Sequence, residues 1–510
     1  MTNRLALWLP AALLALIPGP GRGQSNDVPL TQQRWFETRT AHFDIVSCGG
    51  TTAVFKLAGR LEQFCQAYAM LAGAQAVASP PTVVVAFPDQ ASMRPFLPLY
   101  HGQPGNLAGF FVRGEDENLI VLALPGGDEA DSGMDVIFHE YAHLLFRRND
   151  LIWPLWLKEG MAEIYSTFET AGYSATVARP IQHHLDLLAQ QPMMPLHDLF
   201  AVGHDSPQYN ESTRQGIFYA ESWLLTHYLM AGDNPVYQAR FGQFTALLMA
   251  GQGAEQAFTN ALGASLPLIE AQLERYREQG VFHPIQFQLP ASVSGTVYAD
   301  TRLLTPVEIR FRLGDELARI ARPDAAGDYF NRAEKLAPAS PLPYEGLGML
   351  AAESERNDEA LHDFTAALQR GSTSFLVHYQ YAKEKYRLTA DAQSRYAPLG
   401  EAEAAQIRDQ LQRALTLMPN FGPAHELLGF FEMVQGENLA VAEQHLQLAI
   451  QLEPENPSYL LTLAQAQLRD RNSVAARQTL SPLLLSGADP KLREEALEML
   501  QESGRDSAAR

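Results

Sequence analysis

Apolar and polar positions change rhythm along this chain, from the short period of strands to the longer one of helices. Residues 35–46 (WFETRTAHFDIV) alternate as an opening strand does, and residues 52–71 carry their apolar side chains on one helical face. Residues 81–87 (PTVVVAF) form a β-branched run bounded by proline, the mark of a buried strand. Two apolar runs, 107–113 and 118–124, flank Gly114-Glu-Asp-Glu as the arms of a hairpin. The pattern predicts a small mixed sheet ahead of a helical half.

That half begins where Val136, Ile137, Tyr141, Leu144 and Leu145 recur at helical spacing. Ser132-Gly-Met-Asp135 stands before them as a capping box, and Arg147-Arg148-Asn149 supplies basic residues at the helix's negative end. Further helices are expected over 155–168, 216–230, 237–249, 254–262 and 266–279. Pro284, Pro290 and a Ser/Val/Gly stretch then break the rhythm, so residues 286–305 are read as a linker between a domain over 24–285 and a second part beginning at 306.

The second part is periodic. Ala326, Phe330 and Ala333 return as Ala360, Phe364 and Ala367, and Leu313-Gly314 returns as Leu347-Gly348, all at an offset of 34. Leu411, Ala414 and Pro419 close a third unit with an insertion around 389–400. Leu428-Gly429, Ala442, Leu446 and Ala449 make a fourth, and Ala464, Ala476 and Leu480 a degenerate fifth. This resembles the tetratricopeptide repeat, in which small and aromatic anchors let paired antiparallel helices stack. The resemblance implies an all-α solenoid over 306–490, holding a protein partner in its groove, with a tail over 491–510.

Composition narrows the partners. The net charge is −20, from 58 acidic and 38 basic residues, which argues against nucleic acid or an anionic membrane surface. Arg4, the apolar run 5–17 and the small residues after it read as a signal peptide over 1–23, an uncleaved anchor being the other reading. The expectation is an exported protein, periplasmic or extracellular, with no membrane span after cleavage. Cys48 and Cys65 are the only cysteines, and both a disulfide and two free thiols fit their spacing.

The candidate chemistry lies in residues 136–165. His139-Glu140-x-x-His143 places two imidazoles on one helical face, four residues apart, with Glu140 one step round. Downstream, Trp156-Leu157-Lys158-Glu159-Gly160-Met161-Ala162-Glu163 resembles the W-L-x-E-G-x-A segment of gluzincin metallopeptidases, the small exported peptidase MA-like branch in particular. The resemblance implies a thermolysin-like α+β fold, one Zn2+ ion and a metal-activated water that hydrolyses peptide bonds. By position it makes Glu159 the third ligand beside His139 and His143, Glu140 the general base, and Glu163 the carboxylate that orients a liganding histidine.

Fifteen residues separate His143 from Glu159, fewer than in the larger gluzincins, which keeps Glu163 open as the ligand instead. Tyr219 is the first candidate to stabilise the oxyanion, with His227 and Tyr228 as alternatives on the same helix. The hairpin arm ahead of the metal helix is expected to pair with an extended peptide. His183, His184 and His197 are read as solvated or capping residues. Two functions therefore stand against each other: a zinc peptidase whose repeats recruit substrate or partner, and a catalytically silent scaffold that binds or assembles proteins through the repeats.

Overall fold

The computed structural model describes residues 29–73, 81–100, 102–105, 107–114, 116–124, 133–146, 153–203, 206–209, 216–290, 300–393, 395–454, 456–484 and 490–508. Residues 1–23, Ser132 and Arg147 to Asn149, on which an export signal, a capping box and a basic helix end were expected, lie outside them. Two compact units divide the chain, one drawn essentially from residues before 306 and the other from those after.

The first unit is built on a six-stranded mixed sheet. Its order is Asp300–Leu303, Phe36–Arg39, Phe43–Ser47, Thr82–Phe87, Asn118–Ala123 and Gly109–Val112. The three central strands run parallel, Val84 pairing with Ile45 on one side and Ile120 on the other. A parallel pair needs a crossover, and the Thr51–Ala72 helix supplies it between Phe43–Ser47 and Thr82–Phe87. All six residues of Thr82–Phe87 are buried, as a strand covered on both faces requires. The arms expected as a hairpin are antiparallel, Phe111 opposite Ile120, and leave Gly109–Val112 at the sheet edge.

Residues 286–305 differ from the linker reading. At one end Ile285–Gln288 pairs with Ser174–Val177 in a three-stranded sheet, and at the other Asp300–Leu303 pairs with Phe36–Arg39, register Phe36 to Leu303. Ile285–Gln288 alternates part-buried Ile285 and Phe287 with exposed glutamines over only four residues, and Asp300–Leu303 is exposed throughout with no apolar period to announce it.

Behind the sheet lies one aromatic-rich core. Phe64 of the crossover helix stacks on Phe138 with ring centres 4.6 Å apart, which fixes the Met134–Phe146 helix against the sheet. Trp156 is stacked on Phe200 and Phe244, anchoring the start of the Leu155–Ser166 helix. Ile217–Ala231 is buried at nearly every position, the pattern of a helix enclosed on all sides. Cys48 and Cys65 are both free thiols, and Cys65 lies against Tyr141.

The second unit is a helical repeat. Pro306–Arg319 with Pro323–Leu336, Leu342–Glu353 with Asn357–Gln369, Phe375–Arg387 with Glu401–Leu417, Gly422–Gln435 with Leu439–Leu452, and Ser458–Arg469 with Ser473–Leu480 follow one another in pairs. The periodic small and aromatic residues are its core: Ala326, Phe330, Ala333, Ala360, Phe364 and Ala367 are each at most 1% exposed. Glycine is required at the facing positions, because a Cβ on Gly314 or Gly346 would lie 2.7 or 2.4 Å from the Phe330 ring. Asn438 and Asn472 cap the later second helices, accepting from the backbone N–H of Val441 and Ala475. The tail is helical over Pro490–Ala508. Among the described residues no helix is long and apolar enough to cross a membrane.

Candidate metal centre

Two helices that are neighbours in sequence bring the motif residues together. On Met134–Phe146 the four-residue spacing aims both imidazoles the same way, with His139 Nε2 and His143 Nε2 3.0 Å apart. Glu159 Oε2, from Leu155–Ser166, lies 3.5 Å from the first and 3.4 Å from the second. These three are the group of metal-competent side chains that converge among the described residues.

The donor set fits a zinc-sized cation. A tetrahedral site with bonds of about 2.0–2.1 Å has ligand-to-ligand edges of about 3.3–3.4 Å, close to the 3.0, 3.4 and 3.5 Å found here. Two imidazoles and one carboxylate are also a borderline-soft ligand set that zinc favours. His143 is partly exposed at its side chain while His139 and Glu159 are buried, so the cluster opens on one side. Glu140, one residue after His139 on the same helix, is half-buried.

Electrostatics favour an ionised third ligand. Burial by itself would raise the Glu159 pKa, but the charge of His143 and hydrogen bonds with His139 and His143 outweigh it and hold the carboxyl well below its ordinary range. Glu163, one turn on, occupies the other side of His139, with Oε1 3.4 Å from Nδ1. Burial raises its pKa and the charges of His139 and His184 lower it further, so it too is held ionised. The geometry thus separates the two glutamates, Glu159 facing both Nε2 atoms and Glu163 facing the rear nitrogen of one ring.

Gly160 lets this helix approach closely. A Cβ there would lie 2.1 Å from Thr226 Oγ1 and 2.3 Å from the Ser222 carbonyl oxygen, so only glycine allows Leu155–Ser166 to lie this near Ile217–Ala231. The glycine after the glutamate is therefore a packing requirement of the helix that presents Glu159.

Tyr219 is buried and stacks on Tyr209, ring centres 6.0 Å apart, and the Tyr209 hydroxyl donates to Glu159 Oε1 at 3.4 Å. His227 Nε2 donates to the Ala178 carbonyl and Nδ1 accepts from Tyr276, while burial pushes its pKa down to about 4, the behaviour of a neutral core histidine. Tyr228 packs on Tyr237 and Tyr276.

Of the remaining histidines, His197 is exposed and pairs with Glu255, as a solvated residue does. His184 differs from that reading: it is buried, with Nε2 3.4 Å from Glu163 Oε2. Its helix, Gln182–Gln190, packs on Ile217–Ala231 and turns residue 184 inward. Sequence reasoning missed Tyr209 and the burial of His184 because neither sits in a motif.

No protein-family model matches the chain, and no curated protein does. Among solved structures it is similar to YrrB, described as a TPR protein with an unusual peptide-binding site, at 18% identity over 37% of this chain and 91% of that one, with a TM-score of 0.31. A thermophilic TPR protein of Thermus thermophilus matches at 24% identity over 38% of this chain and 99% of that one, TM-score 0.29. The pilF protein of Pseudomonas aeruginosa matches at 18% identity over 39% and 89%, TM-score 0.30.

Proposed function

We propose that the first unit is a zinc-dependent peptide hydrolase of the gluzincin type with a thermolysin-like fold, and that the helical repeat docks its protein substrate or a protein partner. The convergence of His139 Nε2, His143 Nε2 and Glu159 Oε2 to 3.0–3.5 Å from one another carries the reading. A divalent ion held by them supplies Lewis-acid polarisation of a peptide carbonyl and activation of water. Glu140, half-buried and next in sequence to His139, takes the proton of the attacking water and returns it to the leaving amine. Glu163 holds the His139 ring so that its Nε2 points at the cluster. The edge strand Gly109–Val112 offers main-chain groups to an extended peptide. With residues 1–23 read as an export signal, the place of action is the periplasm or the exterior.

The test is cleavage of a quenched-fluorescent peptide mixture by the zinc-loaded protein. Glu140→Gln is expected to lower turnover by about 10²–10⁴-fold, the usual worth of a general base, with zinc content unchanged. A Glu140→Gln protein that cleaves as fast as wild type refutes the peptidase reading.

A second reading, a catalytically silent scaffold acting in protein binding or assembly, is favoured by the paired helices from Pro306 to Leu480, an architecture whose stacked pairs make extended binding surfaces. It predicts that Glu140→Gln leaves every function of the protein intact while deletion of the repeats removes it.

A further inference from the structure

Glu163 is enclosed between two imidazoles, one on each oxygen. Oε1 lies 3.4 Å from His139 Nδ1, and Oε2 lies 3.4 Å from His184 Nε2. Glu163 is 7% exposed and His184 3% exposed, so the carboxylate relies on protein groups for its hydrogen bonds. His184 does not join the metal-competent donors, which are His139, His143 and Glu159. It comes from a separate helix, Gln182–Gln190, and its ring is set beside Trp223 with centres 6.2 Å apart.

We infer that His184 is a positioning residue for the metal centre: by donating from Nε2 to Glu163 Oε2 it sets the carboxylate plane so that Oε1 meets His139 Nδ1. The inference rests on the metal-centre reading above. A carboxylate with one partner can rotate about its Cγ–Cδ bond, whereas a partner on each oxygen fixes that torsion. With Oε1 held on Nδ1–H, the His139 tautomer leaves Nε2 bare and aimed at Glu159 and His143. Two consecutive contacts, His184 Nε2 to Glu163 Oε2 and His139 Nδ1 to Glu163 Oε1, each 3.4 Å, thus link the Gln182–Gln190 helix to the ligand set. Loss of an orienting partner of this kind typically weakens metal affinity by about 10–100-fold.

The experiment measures Zn2+ affinity of the full-length protein by competition with a chromogenic chelator, for wild type, His184→Phe, His184→Gln, Glu163→Gln and the Glu163→Gln/His184→Phe pair. His184→Phe keeps the volume and removes the donor, and is expected to weaken binding about 10–100-fold. His184→Gln places an amide N–H near the Nε2 position and is expected to restore most of it. In the Glu163→Gln background His184→Phe is expected to cost nothing further, since the effect runs through Glu163. Melting of each metal-free variant reports folding separately from affinity. Wild type that binds zinc alongside an equally tight His184→Phe overturns this inference alone, as does a His184→Gln as weak as His184→Phe. Wild type that binds no zinc overturns the metal-centre reading and this inference with it.

Discussion

Substituting Gly160 by alanine adds one methyl group between two buried helices. The new carbon would stand 2.1 Å from Thr226 Oγ1 and 2.3 Å from the Ser222 carbonyl oxygen, against 3.4–4 Å for ordinary contact. The threonine hydroxyl can rotate away, but the carbonyl belongs to the backbone of Ile217–Ala231 and cannot, so the helices must part by about 1 Å. Overpacking of this kind costs about 1–3 kcal/mol, and a clash with main chain belongs at the upper end. Alanine is the better helix former by about 1 kcal/mol, which leaves a net loss of about 2 kcal/mol. For a unit of this size that corresponds to a fall in melting temperature of about 4–8 °C. Calorimetry of the metal-free full-length chain separates it from ligand effects, and the transition of the first unit is the one that should move. Zinc affinity should fall as well, because residue 160 follows Glu159. Adding Thr226→Ala removes the shorter contact and leaves the carbonyl, so it should not restore stability. An unchanged melting temperature, or rescue by Thr226→Ala, refutes the claim that Gly160 is a backbone-approach requirement.

Three further outcomes are expected. Burial pushes the Glu221 carboxyl up to about 8 while its Oε1 accepts the Met194 N–H. A raised folded pKa gives stability that is complete below the ordinary 4.5 and is lost as pH climbs to about 8; Glu221→Gln keeps the acceptor, removes the ionisation and should gain on wild type by up to about 1.4 kcal/mol per pH unit across that window in denaturant titrations. In the repeat half His425 Nδ1 lies 2.9 Å from His445 Nδ1, and His425 Nε2 donates to the Pro419 carbonyl, so His445 Nδ1–H donates to a His425 ring that must stay neutral. Burial lowers both pKa values below 6.5, so this contribution is complete above 6.5 and fades as pH falls, and His445→Asn should flatten the acid limb of the repeat transition. Phe330→Ala empties the slot between Gly314 and Gly346 and should cost about 3–5 kcal/mol in the same transition, a loss that a near-neutral result would contradict.

What could be read in the sequence follows from the range of the forces involved. The His139–His143 pair, the helix bearing Glu159 and the repeat anchors Phe330 and Phe364 are set by periods of four and 34 residues, which survive in a linear string. The different stations of Glu159 and Glu163 are not, since both lie on one helix and only the crossing with Met134–Phe146 tells front from back. Tyr209 and His184 reach the site through tertiary packing, across 50 residues in the first case, with no local pattern to mark them. The strand Asp300–Leu303 was hidden for a related reason: its partner Phe36–Arg39 lies more than 260 residues away, and its own side chains are exposed. Gly160 sits between the two cases, visible as a motif letter whose cause, the approach of Ile217–Ala231, appears only in three dimensions.

Anomalous diffraction at the zinc edge, from crystals of the full-length protein grown with Zn2+, shows whether His139, His143 and Glu159 hold a metal ion. A single strong peak is expected about 2.0–2.2 Å from His139 Nε2, His143 Nε2 and a Glu159 oxygen, with Glu163 on Nδ1 of His139. A peak coordinated by Glu163 with Glu159 turned away, or no peak at this cluster, would contradict this ligand set.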